Sequence, residues 1–403
     1  MRVLVLAGRL ARQPWSIGGF VRSVGRGLHE RGHSVSLACQ SLDDDEDFGF
    51  ASTVRRFGVF SQTSTDWPLG MAAWGARQRR AIPHDVSISF SRVCTGDVWF
   101  PAEPGGAAWL GRAASTRRGH GLALAAARHH GAFRSWARDA LLRRPRGVVR
   151  RIIAVGPTSA GEAERFLAAA GLDDRVVQAP YFSMLEPPES GRTELRERTR
   201  ALLNIAPERR VVLVSCMGAQ GPSLDNLLTA AADLTSRDRD RGPVVLAMAS
   251  EGFALHTRAV RLGAQAHLRI IGPTLRSDAA MAAADLCAAA VRPARGLFES
   301  GALGRFAADG LRCGRPLLAL SGAPGYDLAR QIAADSSSPG FVVESITSAN
   351  WERALRTALQ EPWASDAARA ASHFGARLGF GGLMACVENA LNEAAAERAG
   401  GLG

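Results

Sequence analysis

The feature that most constrains this chain is an alternation of short apolar runs with helical segments that restarts midway. Arg2–Gly8 reads as a strand and Phe20–Arg31 as a helix stopped by Gly32. His33–Ala38 follows as a second strand, with Gly18-Gly19 at the first strand–helix turn. Asp85–Phe90, Arg151–Val155 and Arg175–Gln178 continue as strands, with a helix over Ser159–Ala170. Pro180, Pro187 and Pro188 mark Pro180–Ser190 as a linker. The alternation then resumes: strands over Arg210–Cys216, Pro243–Ala249, His267–Ile271 and Asp285–Val291, helices over Ser223–Leu234 and Ser277–Ala284. Trp351–Glu397 reads as a helical tail broken near Gly375–Gly382. Strands joined through helices pair in parallel. The pattern therefore predicts two doubly wound, Rossmann-like α/β domains facing a cleft, followed by a helical tail. Their expected boundaries are 1–182, 183–375 and 376–403.

Length agrees, because 403 residues exceed one ordinary core and suit two domains of about 180–200 residues each. No apolar run reaches membrane-spanning length, and MRVLVLAG is too short for a signal peptide, so it reads as a buried first strand. The six cysteines stand singly, without metal-ligand spacing, as expected of reduced core residues in a cytosolic protein. The pair His129-His130 has no third ligand in reach, so no metal site is expected. Lysine is absent and all 49 basic residues are arginine. A Schiff-base lysine is thereby excluded, and any phosphate-binding cation must be a guanidinium.

The segment from Phe298 to Tyr326 carries the most chemistry. It reads as a loop holding Glu299 and Gly304-Arg305, then a short helix with Asp309 one turn in. Cys313-Gly314-Arg315-Pro316 stops that helix, Leu317–Leu320 forms a strand, and Ser321–Gly325 a glycine-bearing loop. A helix starting just after a glycine loop offers backbone N–H groups and a positive dipole end to a diphosphate.

This arrangement resembles the nucleotide-sugar half-site of retaining GT-B glycosyltransferases, in particular the lipopolysaccharide-core glucosyltransferase group. That family's pattern is Glu, Phe-Gly, then a second Glu followed by Ala-x-x-x-Gly-x-Pro. Gly304 precedes Asp309 by the family spacing, which puts Asp309 at the second acidic position. The first acidic position falls on Gly301, and Glu299 fits only with two extra residues in the loop. The likeness extends to Leu268–Gly272 with Ala284-Asp285-Leu286, to Phe20–Leu28 with Gly32–Val35, and to Gly96–Trp99 with Ala102-Glu103. It implies a last helix, around Leu383–Ala396, that crosses back onto the first domain.

The resemblance implies a donor site of Gly18, Gly19, Gly272, Glu299, Leu303, Gly304, Arg305 and Asp309. In it the amides near Leu303–Arg305 and the Gly18-Gly19 turn meet the diphosphate, and Asp309 meets ribose or sugar hydroxyls. Asp309 could equally be a helix N-terminal acid stabilised by the dipole, and Arg305 a surface residue at a helix start. The family's phosphate-clamping Arg and Lys have no counterpart in Met217–Gly221, where Arg292 and Arg295 are possible substitutes. Glu103 falls where related enzymes carry an acid near the acceptor, with Asp97 as an alternative or a strand-end structural acid. His33 and His84 read as structural.

Charge is concentrated. Between Arg112 and Arg151 eleven arginines face one acid, Asp139, so this window carries +10 of the chain's +11. Leu122, Ala126, His129, Phe133, Trp136 and Leu141 recur there at helical spacing, with Arg128, Arg134 and Arg138 elsewhere on the wheel. Together with Arg143 and Arg144, that pattern suits an anionic membrane surface or a phosphorylated saccharide acceptor. A solvated helix packing Phe133 and Trp136 inward is the structural alternative. No nucleic-acid motif accompanies the charge. The expected activity is retaining transfer of a sugar to a lipid-linked or cell-envelope glycan acceptor at the cytoplasmic face of the membrane. The expected co-substrate is a UDP-sugar, with no further cofactor. The rival reading is a catalytically degenerate GT-B scaffold. No acid/base constellation favours a GT-B epimerase.

Overall fold

The structure is a computed structural model. It describes residues 1–10, 17–42, 48–56, 67–90, 96–100, 149–168, 173–185, 192–215, 222–237, 242–248, 252–271, 277–290, 300–323, 325–335, 341–360 and 363–400. The chain divides into two units: Met1–Pro180 with Ala294–Ala302 and Gly381–Gly403, and Tyr181–Pro293 with Leu303–Phe380.

The first unit is built on seven strands: β1 (Arg2–Leu10), β2 (Ser34–Leu42), β3 (Ala51–Arg56), β4 (Val86–Ser89), β5 (Val98–Trp99), β6 (Arg151–Val155) and β7 (Val176–Ala179). They lie in the order β3-β2-β1-β4-β5-β6-β7, each pair parallel. Val3–Ala7 is almost wholly buried, as a central parallel strand covered on both faces must be. Helix α1 (Ile17–Glu30) packs Phe20, Val21, Val24 and Leu28 inward. Phe20 meets Phe90 and Phe100 at ring-centroid distances of 5.7 and 5.0 Å, which fixes the start of α1 against the ends of β4 and β5. Gly32, at φ 82°, supplies the left-handed residue that ends the helix. Helices α2 (Trp67–Ala81) and α3 (Gly156–Ala168) complete this set.

Asp97 is a core residue of this unit, only 1% exposed. Its carboxylate accepts from the Ser87 amide at 2.8 Å, the Ser87 hydroxyl at 2.6 Å and the Arg79 guanidinium at 2.7 Å. It therefore ties β4 to α2, and of its two expected roles the structural one is seen. His84 is also buried, with its Nδ1 2.7 Å from the Ile82 carbonyl and its pKa lowered chiefly by burial.

The second unit repeats the design. Helix α4 (Arg192–Leu202) leads into strands β8 (Val211–Ser215), β9 (Val244–Met248), β10 (Leu268–Ile271), β11 (Leu286–Ala289), β12 (Leu317–Leu320) and β13 (Phe341–Val343). Between them run α5 (Pro222–Arg237), α6 (Gly252–Arg261), α7 (Ser277–Ala283), α8 (Ser300–Arg312) and α9 (Tyr326–Asp335). The order is β10-β9-β8-β11-β12-β13, again all parallel. Counted from its own first strand, each sheet thus contains the 3-2-1-4-5-6 order of a doubly wound fold. At the strand starts Asp285 accepts from Arg196 at 2.6 Å, Arg200 at 2.7 Å and the Val211 amide at 2.7 Å, which pins α4 beneath β8 and β11. Burial lowers the pKa of Arg200.

Helices α10 (Ser348–Ala358) and α11 (Trp363–Gly375) follow, and α12 (Phe380–Gly400) ends the chain. The break between α11 and α12 coincides with the Gly375–Gly382 interruption in the sequence. From Gly381 onward α12 belongs to the first unit. It buries Leu383, Met384, Val387, Ala390, Leu391 and Ala394. Gly27 on α1 lets Met384 approach: a Cβ there would lie 3.0 Å from the methionine Cε. Glu388 pairs with His33 at 3.0 Å and Arg31 at 3.6 Å, while Glu393 and Glu397 hold Arg151 at 2.6 Å each. Arg150 also reaches Glu397, at 3.4 Å. Two of the eleven arginines in the basic window are therefore neutralised by the last helix.

One contact sets how closely α8 lies on its sheet. A Cβ at Gly310 would stand 2.7 Å from the Sγ of Cys287 on β11, a side chain that is itself wholly buried. Gly310→Val should destabilise the protein by about 1–3 kcal/mol through overpacking. Calorimetric melting would show this as a lowered transition, and an unchanged transition would mean that α8 is not held this close.

Candidate functional site

In a doubly wound sheet the strand order reverses beside the first strand, and ligands collect outside the strand C-termini at that point. In the second unit this switch lies between β8 and β11, whose last residues are Ser215 and Ala289. Among the described residues, the next element after β11 is α8, which begins at Ser300 and whose N-terminus offers free backbone amides. In the first unit the corresponding place is the start of α1, after β1.

Helix α8 differs from its sequence expectation in a way that reassigns several residues. It begins at Ser300 rather than after Gly304, so Gly304 and Arg305 lie beyond its first turn and only Leu303 of that trio is within it. Asp309 is the tenth of thirteen residues (300 to 309), not one turn in, and so lies outside the reach of the positive end of the dipole. Glycine costs roughly 1 kcal/mol in a helix interior. Burying Phe306 and Leu311 on the same helix returns roughly 1.5–3 kcal/mol each. Packing thus outweighs the two glycines that, read locally, imply a loop. Gly18 and Gly19 are likewise inside the first turn of α1, not in the turn before it, and both are buried. Gly314, at φ 63°, does end α8, as the Cys-Gly-Arg-Pro signal implies.

The charge of Asp309 is met by specific partners instead. Its Oδ1 accepts from the Ser183 hydroxyl at 2.7 Å and the Met184 amide at 3.1 Å, and its Oδ2 from Arg305 Nε at 3.2 Å. Asp309 and Arg305 are 4% and 5% exposed, one helical turn apart on the buried side of α8. Arg305 is therefore buried, not a surface arginine.

Through Asp309, helix α8 grips the stretch Tyr181–Leu185, which carried no functional signal in the sequence beyond the prolines that flank it, Pro180, Pro187 and Pro188. Phe182 packs on Phe380 at 6.0 Å, and the Ser183 amide donates to the Leu378 carbonyl at 2.9 Å. The Tyr181 hydroxyl donates to Asp327 at 3.3 Å, and burial followed by the Asp327 charge raises the tyrosine pKa. Asp327 sits in the first turn of α9, where the helix dipole favours a carboxylate. The loop before α9 turns through Gly322 and Gly325, at φ 77° and 98°. A Cβ at Gly325 would lie 2.6 Å from that of Ala307, so this loop also presses on α8.

The remaining expected positions, Glu103, Gly272, Glu299, Arg292, Arg295, the 217–221 loop, Arg128, Phe133, Arg134, Trp136, Arg138, Arg143 and Arg144, lie outside the described residues. No group of three or more potential metal ligands occurs among the described residues. No described helix is long and apolar enough to cross a membrane.

No family model matches the chain, and no curated protein matches it in sequence. Solved structures do. The crystal structure of WaaG, a glycosyltransferase involved in lipopolysaccharide biosynthesis, aligns over 97% of this chain and 99% of its own at 18% identity and a TM-score of 0.68. Anabaena HepE in complex with UDP and glucose aligns over 96% and 99% at 15% identity and a TM-score of 0.61. A glycosyltransferase from Rickettsia africae aligns over 98% of each chain at 12% identity and a TM-score of 0.61. The chain has the GT-B fold, and its structural neighbours are glycosyltransferases.

Removing the Asp309 carboxylate tests the grip on Tyr181–Leu185. Asp309→Ala should cost about 3–5 kcal/mol by leaving a buried guanidinium without that partner. Ser183→Ala should cost about 1–2 kcal/mol. Urea denaturation of both single variants and the double variant should show non-additivity of at least about 0.5 kcal/mol. Strict additivity would dissolve the pair.

Proposed function

We propose that this protein is a retaining glycosyltransferase that takes a sugar from a nucleotide donor, a UDP-sugar, to a lipid-linked or cell-envelope glycan. The observation that carries this reading is that α8 is the next described element after β11, a strand that borders the switch point of the second sheet. It stands on a fold that matches, over nearly the whole of both chains, a protein whose structure holds UDP and glucose. The diphosphate meets the first-turn amides of α8, Ser300 to Leu303, which favour negative charge without a metal. Gly272 and Glu299 take the donor roles that the family pattern gives them. Asp309 acts through what it holds: its hydrogen bonds support a role in fixing Arg305, Ser183 and Met184 beside the donor rather than in gripping ribose directly.

In the transfer, the bond from the anomeric carbon to the diphosphate oxygen breaks and one to the acceptor hydroxyl oxygen forms. The hydroxyl proton passes to Glu103 or to the departing diphosphate. Positioning and preorganised donors supply most of the rate enhancement in such a step, so no covalent nucleophile is required. The basic segment around Arg128, Phe133, Arg134, Trp136, Arg138, Arg143 and Arg144 holds the enzyme to the anionic inner face of the membrane, where a lipid-linked acceptor lies.

Calorimetry with UDP, UDP-glucose and GDP tests the donor site. Saturable binding of the uridine nucleotides, weakened about tenfold (roughly 1.4 kcal/mol) in Asp309→Asn, is the expected result. Absence of binding to every nucleotide by the folded protein would make it a degenerate GT-B scaffold. Co-sedimentation with phosphatidylglycerol vesicles tests the surface. Replacing Arg134, Arg138, Arg143 and Arg144 by Gln should lower binding by about 1 kcal/mol per arginine near the surface. Unchanged binding would remove the membrane from the proposal.

A further inference from the structure

The opposite end of the second sheet, where the strands begin, carries a cationic cluster that the donor site does not use. Arg209 precedes β8, Gly242 precedes β9, His267 precedes β10 and Arg269 lies within β10. These strands are neighbours in the order β10-β9-β8, so the three strand starts are brought side by side.

Each group is held in place by neutral atoms. Arg209 Nε donates to the Gly242 carbonyl at 2.8 Å, while its Nη2 is buried with no hydrogen-bond partner. Arg269 donates from Nε to the Leu203 carbonyl at 3.2 Å and from Nη1 to the Leu268 carbonyl at 3.0 Å. The Thr235 hydroxyl donates to the Ala231 carbonyl at 2.9 Å, so toward His267 Nδ1, 3.3 Å away, it acts as acceptor. Neutral His267 therefore carries its proton on Nδ1, and protonation creates a new donor at Nε2. Gly242 closes the arrangement: a Cβ there would fall 1.8 Å from Thr235 Oγ1, so only glycine lets this backbone seat on the hydroxyl.

Among the described residues, what is missing is a counter-charge. Elsewhere in this unit buried and half-buried arginines meet carboxylates: Arg196 and Arg200 pair with Asp285, and Arg258 with Asp225. Among the described residues, no carboxylate pairs with Arg209 or Arg269. The charges acting on His267 are Arg209 and Arg269, both positive, and together with burial they lower its pKa. The packed face of α5 offers the neutral Thr235 hydroxyl, and Arg258 of α6 is already neutralised by Asp225. Two fixed guanidinium groups, an imidazole ready to become a donor, and one buried N–H without an acceptor make a set that an anion would complete.

We propose that Arg209, His267 and Arg269 form a binding site for a phosphate group at the strand-start end of the second sheet, separate from the donor site and tighter at low pH. The proposal does not depend on the glycosyltransferase reading. The sign of the pH effect follows from the cluster. A bound phosphate offsets the two arginines, so it favours the imidazolium, raises the His267 pKa and is itself held by the added Nε2–H donor. The phosphate could belong to a free anion or to a lipid headgroup, and the test separates the two.

The intact protein would be titrated by NMR of its histidine ring protons, with His267→Gln identifying the His267 resonance. Inorganic phosphate or, in a second arm, vesicles containing phosphatidic acid would be added. Saturable phosphate binding that raises the His267 pKa by about one unit corresponds to about tenfold tighter binding to the imidazolium form. That response should be lost in Arg209→Gln/Arg269→Gln and kept in Asp309→Asn. A response to vesicles alone would assign the headgroup as the source, and a response to both a free-anion site. If neither probe moves the His267 pKa, or if the double variant responds as wild type does, the site is refuted. Should the double variant fail to fold, Arg269→Gln alone gives the same reading, with phosphate affinity lowered about tenfold or more.

Discussion

Helix α8 lies close on β11 at Gly310, a residue without a side chain. Ala307 and Ala308 are fully buried, and Gly310 leaves only 2.7 Å between its missing Cβ and the Cys287 Sγ. This close seat holds the helix against Cys287 and brings the carboxylate of Asp309 to the Tyr181–Leu185 segment. A larger residue at 307 or 310 would lift the helix, and both consequences would be lost together. Interiors packed to crystal-like density do not absorb such a change gradually.

A second theme is the buried carboxylate clamped by arginine. Asp97 and Asp285 tie together elements far apart in sequence, and Asp309 ties α8 to the 181–185 stretch. Such pairs add little net stability over an apolar core of the same shape, but removing one partner is costly. Their use here is to fix register. Lysine is absent, so every such partner is a planar fork able to bond two acceptors at once. Arg200 shows the result: one guanidinium reaches Asp285 and the carbonyls of Ala283, Pro207 and Arg209.

Much of the fold was legible because parallel strands buried on both faces read as unbroken apolar runs. Val211–Ser215, Val244–Met248 and Leu317–Leu320 stand out for that reason. Strand β3 does not, since it lies at the sheet edge with most of its side chains exposed, and its sequence, Ala-Ser-Thr-Val-Arg-Arg, lacks an apolar run. Helix α4 is similarly quiet: it is rich in Arg and Glu because it is fixed by ion pairs and carbonyls rather than by an apolar stripe. The site was legible in part. The Cys-Gly-Arg-Pro stop and the strand after it were readable from turn chemistry, whereas the start of α8 was not. Two glycines in five residues say loop locally, and the burial that overrules them lies on the far side of the helix.

The sequence by itself determined the class of fold, two successive doubly wound sheets with a helical tail, because periodicity and helix stops are local properties of the chain. It also determined that the cations available to any anion are guanidinium groups, because composition needs no coordinates. Only the tertiary structure decided which charges are spent and which are not. Arg150, Arg151 and Arg200 are indistinguishable in sequence from Arg209 and Arg269, yet the first three meet carboxylates and, among the described residues, the last two meet only carbonyls. That difference rests on partners 85 to 247 positions away (Asp285 for Arg200, Glu397 for Arg150). Pairing over such separations is fixed by how the sheets bring the strand ends together, and the sequence carries no local sign of it.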